Sequence, residues 1–170
     1  MCGKANIDNL IKEQGLRIEI GYGRPNQTPK GFISLNTVDG SDIIQDIDVF
    51  PWGLPDECAS LVVASHIFQR INPAKKGFIR CIDEIWRILK PEGELLIAVP
   101  YAGSYAYNQD PTNCNPCNES TWAYFDPFAL GGLYNIYKPC PWKVEKCVFS
   151  TNGNMEVLMS KRLNDQSYGI

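Results

Sequence analysis

Residues 60–100 constrain this chain more than any other stretch. Residues 60–65 (SLVVAS) are a continuous apolar run of the kind found in strands buried on both faces. Phe78, Ile82, Ile85, Trp86 and Leu89 then recur at helical spacing and form one apolar face. Asn72 is placed to cap that helix, Pro73 suits its first turn, and Lys90-Pro91-Glu92-Gly93 ends it. Residues 94–100 (ELLIAVP) are apolar again. A strand–helix–strand unit follows, and such units cross over right-handed between parallel strands.

The earlier strands are placed by their spacing. Residues 16–21 (LRIEIG) alternate and run into a glycine turn, while 31–35 (GFISL) and 42–46 (DIIQD) supply two further strands. Only seven residues separate Gly23 from Gly31. A parallel crossover that contains a helix needs about ten to twelve or more. The helices between the first strands are therefore missing or reduced to single turns. One sheet face is then thinly covered, and a second copy in a homodimer or the N-terminal segment is expected to shield it. Residues 7–14 read as a short leading helix. Residues 143–149 and 155–160 flank Asn152-Gly153-Asn154, a strong hairpin signal.

The 170 residues carry a formal net charge of −3, so no global pull toward nucleic acid or anionic membrane is expected. Apolar runs are too short to cross a bilayer, and the first residues lack the apolar stretch of a secretory signal. A cytoplasmic setting is expected, which keeps the seven cysteines reduced.

Glu19-Ile20-Gly21-Tyr22-Gly23 closes the first strand with glycines that let a backbone turn tightly and approach a ligand. The third glycine of a dinucleotide fingerprint is absent. Glu19–Gly23, then residues 30–36 (KGFISLN) and 42–47 (DIIQDI), resemble the opening of Rossmann-like S-adenosylmethionine-dependent methyltransferases, specifically the small type-11-like members. Residues 64–68 (ASHIF) resemble their segment after the fourth strand. Residues 84–97 (EIWRILKPEGELLI) are similar to their helix-into-fifth-strand signature, the most specific match. The likeness runs in order over about residues 16–130.

The resemblance implies an α/β fold: a Rossmann-like, mostly parallel sheet with a C-terminal antiparallel hairpin and reduced helices between the first strands. It implies one domain over 1–170, with a leading helix at 1–15, a cofactor-binding core at 16–100, a substrate loop at 101–132 and the hairpin at 143–160. S-adenosylmethionine is the implied cofactor and its methyl group the one transferred, the acceptor being unidentified. Gly21, Tyr22 and Gly23 would cradle its methionine part, with Glu19 orienting that loop or meeting the amino group indirectly. Asn36 stands where an acidic residue usually holds the ribose hydroxyls. Asp46 stands at the adenine-amino position with Ile47 as its apolar neighbour. Ser65 and His66 would border the reactive methyl.

Departures from the family pattern fall at Asn36, at Gln69-Arg70 in place of Glu-His, and at Asn113 where His commonly follows Gln109-Asp110-Pro111-Thr112. They keep open a second reading, a non-catalytic methyltransferase-like scaffold or binding module. His66, the only histidine, is either a general base or the holder of a turn. Asp110 and Tyr101 are either substrate contacts or a turn former and a core aromatic. The aromatic group of Tyr101, Tyr105, Tyr107, Trp122, Tyr124, Phe125 and Phe128 is either a pocket lining or the core under the long loop. Cys114 and Cys117 have zinc-knuckle spacing. Cys140 and Cys147 are too far apart to complete the set in the usual way, so no metal is assigned.

Overall fold

The computed structural model describes residues 11, 14–21 and 27–163. Seven strands form one sheet in the order β3-β2-β1-β4-β5-β7-β6. They are β1 (Leu16–Gly21), β2 (Ile33–Asn36), β3 (Ile43–Ile44), β4 (Ala59–Ser65), β5 (Leu89–Pro100), β6 (Trp142–Phe149) and β7 (Asn154–Lys161). The first five are parallel; β7 runs antiparallel to β5 and β6 antiparallel to β7. This is the expected α/β class. Ser150 and Asn154 close the hairpin through Ser150 N–H to Asn154 O, 2.8 Å, with Gly153 at φ +84°.

The strand order reverses between β1 and β4, and ligands of open parallel sheets bind at such a reversal, outside the strands' carboxyl ends. Register places particular residues there. Gly21 pairs with Ser65, and Ser65 with Ala98. Ile20 pairs with Leu35, one residue before Asn36.

Alternation decides the core. Leu16, Ile18 and Ile20 of β1, Val62 and Ala64 of β4, and Leu95, Ile97 and Val99 of β5 are buried on one face. That face is covered by α1 (Gly77–Ile88), whose Cys81, Ile82, Ile85 and Ile88 are buried. The helix starts later than Asn72 predicts. Asn72 Oδ1 instead accepts from Ala74 N–H at 2.9 Å, serving a single 3₁₀ turn, Ala74–Lys76. Lys75 and Lys76 are left-handed and break the path. Gly77 is needed where α1 begins, since an added Cβ would lie 2.1 Å from the Asn72 carbonyl oxygen. Leu89, expected on the helix face, opens β5 instead. The pairing with β4 jumps from Leu89 to Glu94, so Lys90–Gly93 form a loop inside the strand.

On the opposite face the outward residues are less covered: Leu61 and Val63 are half-buried, and Leu96 is exposed. Among the described residues no helix joins β1 to β2, β2 to β3 or β3 to β4. The β3–β4 connection is instead fastened to α1 by Arg87. Its guanidinium donates to the Leu54 and Trp52 carbonyls and to the Asp56 and Glu84 carboxylates, and Glu84 accepts Trp52 N–H at 2.6 Å.

The long loop carries three short helices, α2 (Tyr105–Asn108), α3 (Glu119–Ala123) and α4 (Tyr134–Tyr137). Asn118 and Thr121 form a reciprocal capping box at α3. The aromatic group divides. Trp122 and Phe125 are core, Trp122 packing against Phe68 and Phe78 and Phe125 against Phe78 at centroid distances of 6.1 to 6.2 Å. Tyr105 and Phe128 are exposed. Most of the leading-helix span, including Ile7, lies outside the described residues; Ile11 is helical.

Candidate functional site

Two adjoining clefts open at the carboxyl ends of the parallel strands. The first, about 210 Å³, is lined by Gly21 at the end of β1, Asn36 and Thr37 at the end of β2, and Gln45, Asp46, Ile47 and Asp48 after β3. Ile67 and Ile71, beyond β4, form its apolar wall. The second, about 470 Å³, is lined by Glu19, Gln27, Pro29, Val63, Ser65, His66 and Arg70. Arg70 lines both.

Of the residues singled out from sequence, Gly21, Asn36, Asp46 and Ile47 meet in the first cleft, and Glu19, Ser65 and His66 in the second. Tyr22 and Gly23 lie outside the described residues. Tyr101 and Asp110 line neither cleft. Tyr101 packs edge-on against Phe149 at 5.0 Å, and its hydroxyl donates to Glu119 at 3.4 Å. Asp110 acts through Arg70, whose guanidinium donates to it at 2.5 Å.

Each position has a local cause. The Glu19 carboxylate lies over Gly21, where an added Cβ would come 1.9 Å from Glu19 Oε1. Burial raises the Glu19 carboxyl above the usual carboxylate range. Asn36 Nδ2 donates to the Gly21 carbonyl at 2.5 Å, and its Oδ1 accepts Thr37 N–H at 2.7 Å. The Gln45 amide braces the loop after β3, donating to the Asp46 and Val49 carbonyls. Asp46 Oδ1 accepts Asp48 N–H at 2.9 Å.

His66 has φ +55°, a left-handed backbone that a non-glycine residue adopts only when its surroundings impose it. Its N–H donates to Ala98 O at 2.8 Å, and its carbonyl accepts from Gln69 Nε2 at 2.9 Å. So His66 holds a turn and also presents its ring to the second cleft. Burial, and then the Arg70 charge, depress its pKa, so the imidazole is neutral at physiological pH and able to accept a proton.

The sequence marks Gln69 and Arg70 only as departures from a family pattern. Gln69 is a buried brace whose carbonyl also takes the N–H groups of Cys114 and Asn115. Gln45, Ile67 and Ile71 are cleft linings that sequence reasoning missed. The i, i+4 spacing of the two isoleucines just after a strand was the available signal. Among the described residues no three His, Cys, Asp or Glu side chains come together to hold a metal ion. Cys117 is buried and Cys114 Sγ donates to Ile71 O at 3.2 Å; both are free thiols. Nor, among them, is any helix long and apolar enough to cross a membrane.

This strand order, with two clefts at the β1/β4 reversal, is the Rossmann-like fold of S-adenosylmethionine-dependent methyltransferases. The chain is similar to a SAM-dependent methyltransferase from Archaeoglobus fulgidus, at 12% identity over 93% of this chain and 92% of that one, with a TM-score of 0.61. It is also similar to a 16S rRNA adenine-N1 methyltransferase from Catenulisporales acidiphilia, at 10% identity, 92% and 90% coverage and a TM-score of 0.60. A [4+2]-cyclase has the same fold, at 13% identity, 93% and 80% coverage and a TM-score of 0.55. At such identities the likeness is one of fold. No family model matches the chain, and no curated protein matches its sequence.

Proposed function

We propose that the protein is an S-adenosylmethionine-dependent methyltransferase acting on an acceptor that enters the second cleft. The observation that carries this reading is the convergence of Gly21, Asn36, Asp46 and Ile47 on one cleft, with Ser65 and His66 on the next. The residues fit the cofactor. At Gly21 the place of a Cβ is taken by the Glu19 carboxylate, and the first cleft joins a carboxylate and an amide to apolar walls, as a sugar and a purine require. Asp46 would accept from the adenine amino group, with Ile47, Ile67 and Ile71 against the ring. Asn36 would meet the ribose, and the Gly21 bend the amino-acid end.

When bound, the cofactor would supply an electrophilic methyl group on a sulfonium that serves as its leaving group. The protein's part is alignment and proton removal. His66 is the base: its neutral ring takes the proton lost by the acceptor's nucleophile as the new bond to methyl forms, becoming imidazolium. Arg70 opposes that charge, so the proton passes readily on to solvent.

A second reading is favoured by Asn36. Its amide nitrogen and oxygen already serve Gly21 and Thr37, as suits a scaffold that keeps the bend for shape. The [4+2]-cyclase likewise has this fold under another reaction name. Isothermal titration with S-adenosylmethionine and S-adenosylhomocysteine separates the two. The enzyme reading requires binding of both that is lost in Gly21→Arg; silence at millimolar ligand leaves the scaffold.

A further inference from the structure

Among the described residues Arg70 alone is common to the linings of the two clefts, and the family likeness assigned it no part. Asp110 stands behind it. Asp110 Oδ2 takes the guanidinium, while Oδ1 accepts both the N–H and the hydroxyl of Thr112 at 2.9 and 2.7 Å. Those Thr112 bonds, with Arg70, hold the Asp110 carboxyl at about 2, so it is ionised at every physiological pH. Asp110 lines neither cleft, whereas Arg70 lines both, its side chain 28% exposed. An arginine clamped from behind in this way loses little freedom when it meets a second planar anion.

The second cleft offers a suitable chamber. Its volume of about 470 Å³ falls within the roughly 300–1,000 Å³ typical of small-molecule sites. Its other charged wall is Glu19, whose carboxylate is turned back over Gly21. The lining of the cleft therefore carries one carboxylate, Glu19, and one cation, Arg70, together with Ser65 and His66.

We propose that Arg70, anchored by Asp110, binds an oxyanion, a carboxylate or phosphate, of the molecule that occupies the second cleft. The inference rests on the methyl-transfer reading for the identity of that molecule. Two sources have this chemistry: the carboxylate at the cofactor's amino-acid end, and an acidic group on the acceptor. In the second case the acceptors are anionic small molecules held with the nucleophile beside His66.

His66 makes the test direct. It is the only histidine, so the full chain gives a single imidazole signal by NMR, and an anion bound at Arg70 cancels part of the positive field on that ring. Titrating inorganic phosphate and benzoate into the wild type is expected to raise the His66 pKa, and Arg70→Met is expected to abolish that response. Calorimetry in parallel compares S-adenosylhomocysteine with 5′-methylthioadenosine, which lacks the amino-acid end. Loss of one charge-assisted contact corresponds to about tenfold or more in affinity.

If Arg70→Met weakens S-adenosylhomocysteine by that factor and leaves methylthioadenosine unchanged, the oxyanion is the cofactor's. If S-adenosylhomocysteine binding is kept while the phosphate or benzoate response disappears, it is the acceptor's. An Arg70→Met protein that matches wild type in both measurements overturns the proposal. Should that variant fail to fold, Arg70→Lys, which keeps the charge without the planar fork, must still lower one of the two signals; no change in either overturns the proposal equally. If the wild type binds neither adenosyl compound, the methyl-transfer reading fails by itself, and the response of His66 to phosphate and benzoate still decides for or against Arg70.

Discussion

The side-chain amide of Asn36 donates to the Gly21 carbonyl at 2.5 Å, tying the end of β2 to the end of β1. A carboxylate at the same place accepts hydrogen bonds but cannot donate one. The residue common in the family would therefore face the Gly21 oxygen with like polarity. Asn36→Asp is expected to lower stability by about 1–3 kcal/mol, the range for a partly buried acceptor left unmet. Urea denaturation of the two proteins checks this; an unchanged midpoint would show that the amide has no structural part.

Two glycines make a contrast. At Gly21 an added Cβ meets the far end of the Glu19 side chain, which can swing away, whereas at Gly77 it meets the Asn72 backbone oxygen at 2.1 Å. Gly21→Ala should therefore cost less than about 1 kcal/mol, and Gly77→Ala about 1–3 kcal/mol as the start of α1 is pushed off the preceding turn. Thermal melts compare them, and equal shifts would contradict the account.

His66 gives stability a pH dependence of definite sign. Its pKa in the folded chain is depressed by burial and by Arg70, so below the unfolded value of about 6.5 the unfolded chain binds the proton more readily. Stability is then expected to rise with pH through the window from the folded pKa up to about 6.5, and to be flat for this group above it. Melts from pH 5 to 8 should show that slope in the wild type and a shallower one in His66→Gln.

Arg87 joins four groups, of which Glu84 is nearly buried and Asp56 largely exposed. Arg87→Met leaves the Glu84 carboxylate without its counter-charge, and a loss of about 2–4 kcal/mol is expected, below the full buried-pair value because the guanidinium is partly wet. Asp56→Asn should cost less than about 1 kcal/mol. Comparable losses in the two variants, measured by denaturant titration, would move the weight of the network to Asp56.

The sheet was legible because its signals are local. The run of residues 60–65, the apolar face of α1 and the Asn152-Gly153 turn each depend on neighbours in sequence, and the short gap after Gly23 agrees with the lack of helices between the first strands among the described residues. The helix start was misplaced because Asn72 serves a separate 3₁₀ turn and Lys75 and Lys76 turn left-handed before Gly77, a break that no pattern of residue types displays. Gly21, Asn36 and Ser65 stood out in the sequence at strand ends and line the clefts, whereas Asp46, expected to close a strand over 42–46, lies two residues beyond β3. Arg70 was not legible, since its interest comes from Asp110, forty residues onward, and from clefts that exist only after folding. Tyr101 drew notice by following β5, yet its ring turns to Phe149.

The link between β3 and β4, which walls the first cleft, is fastened by the Arg87 guanidinium and the Gln45 amide in place of a covering helix. Trp52 and Leu54 anchor that wall in the core, so the part that can open at low cost is the stretch before them, held by the hydrogen bonds of Gln45 and Asp46. Amides of the stretch after Ile44 should thus exchange with deuterium well ahead of those in β4 and β5, and an adenosyl ligand resting on it should slow them selectively. The shortened crossover would make ligand capture and local ordering of that stretch one event.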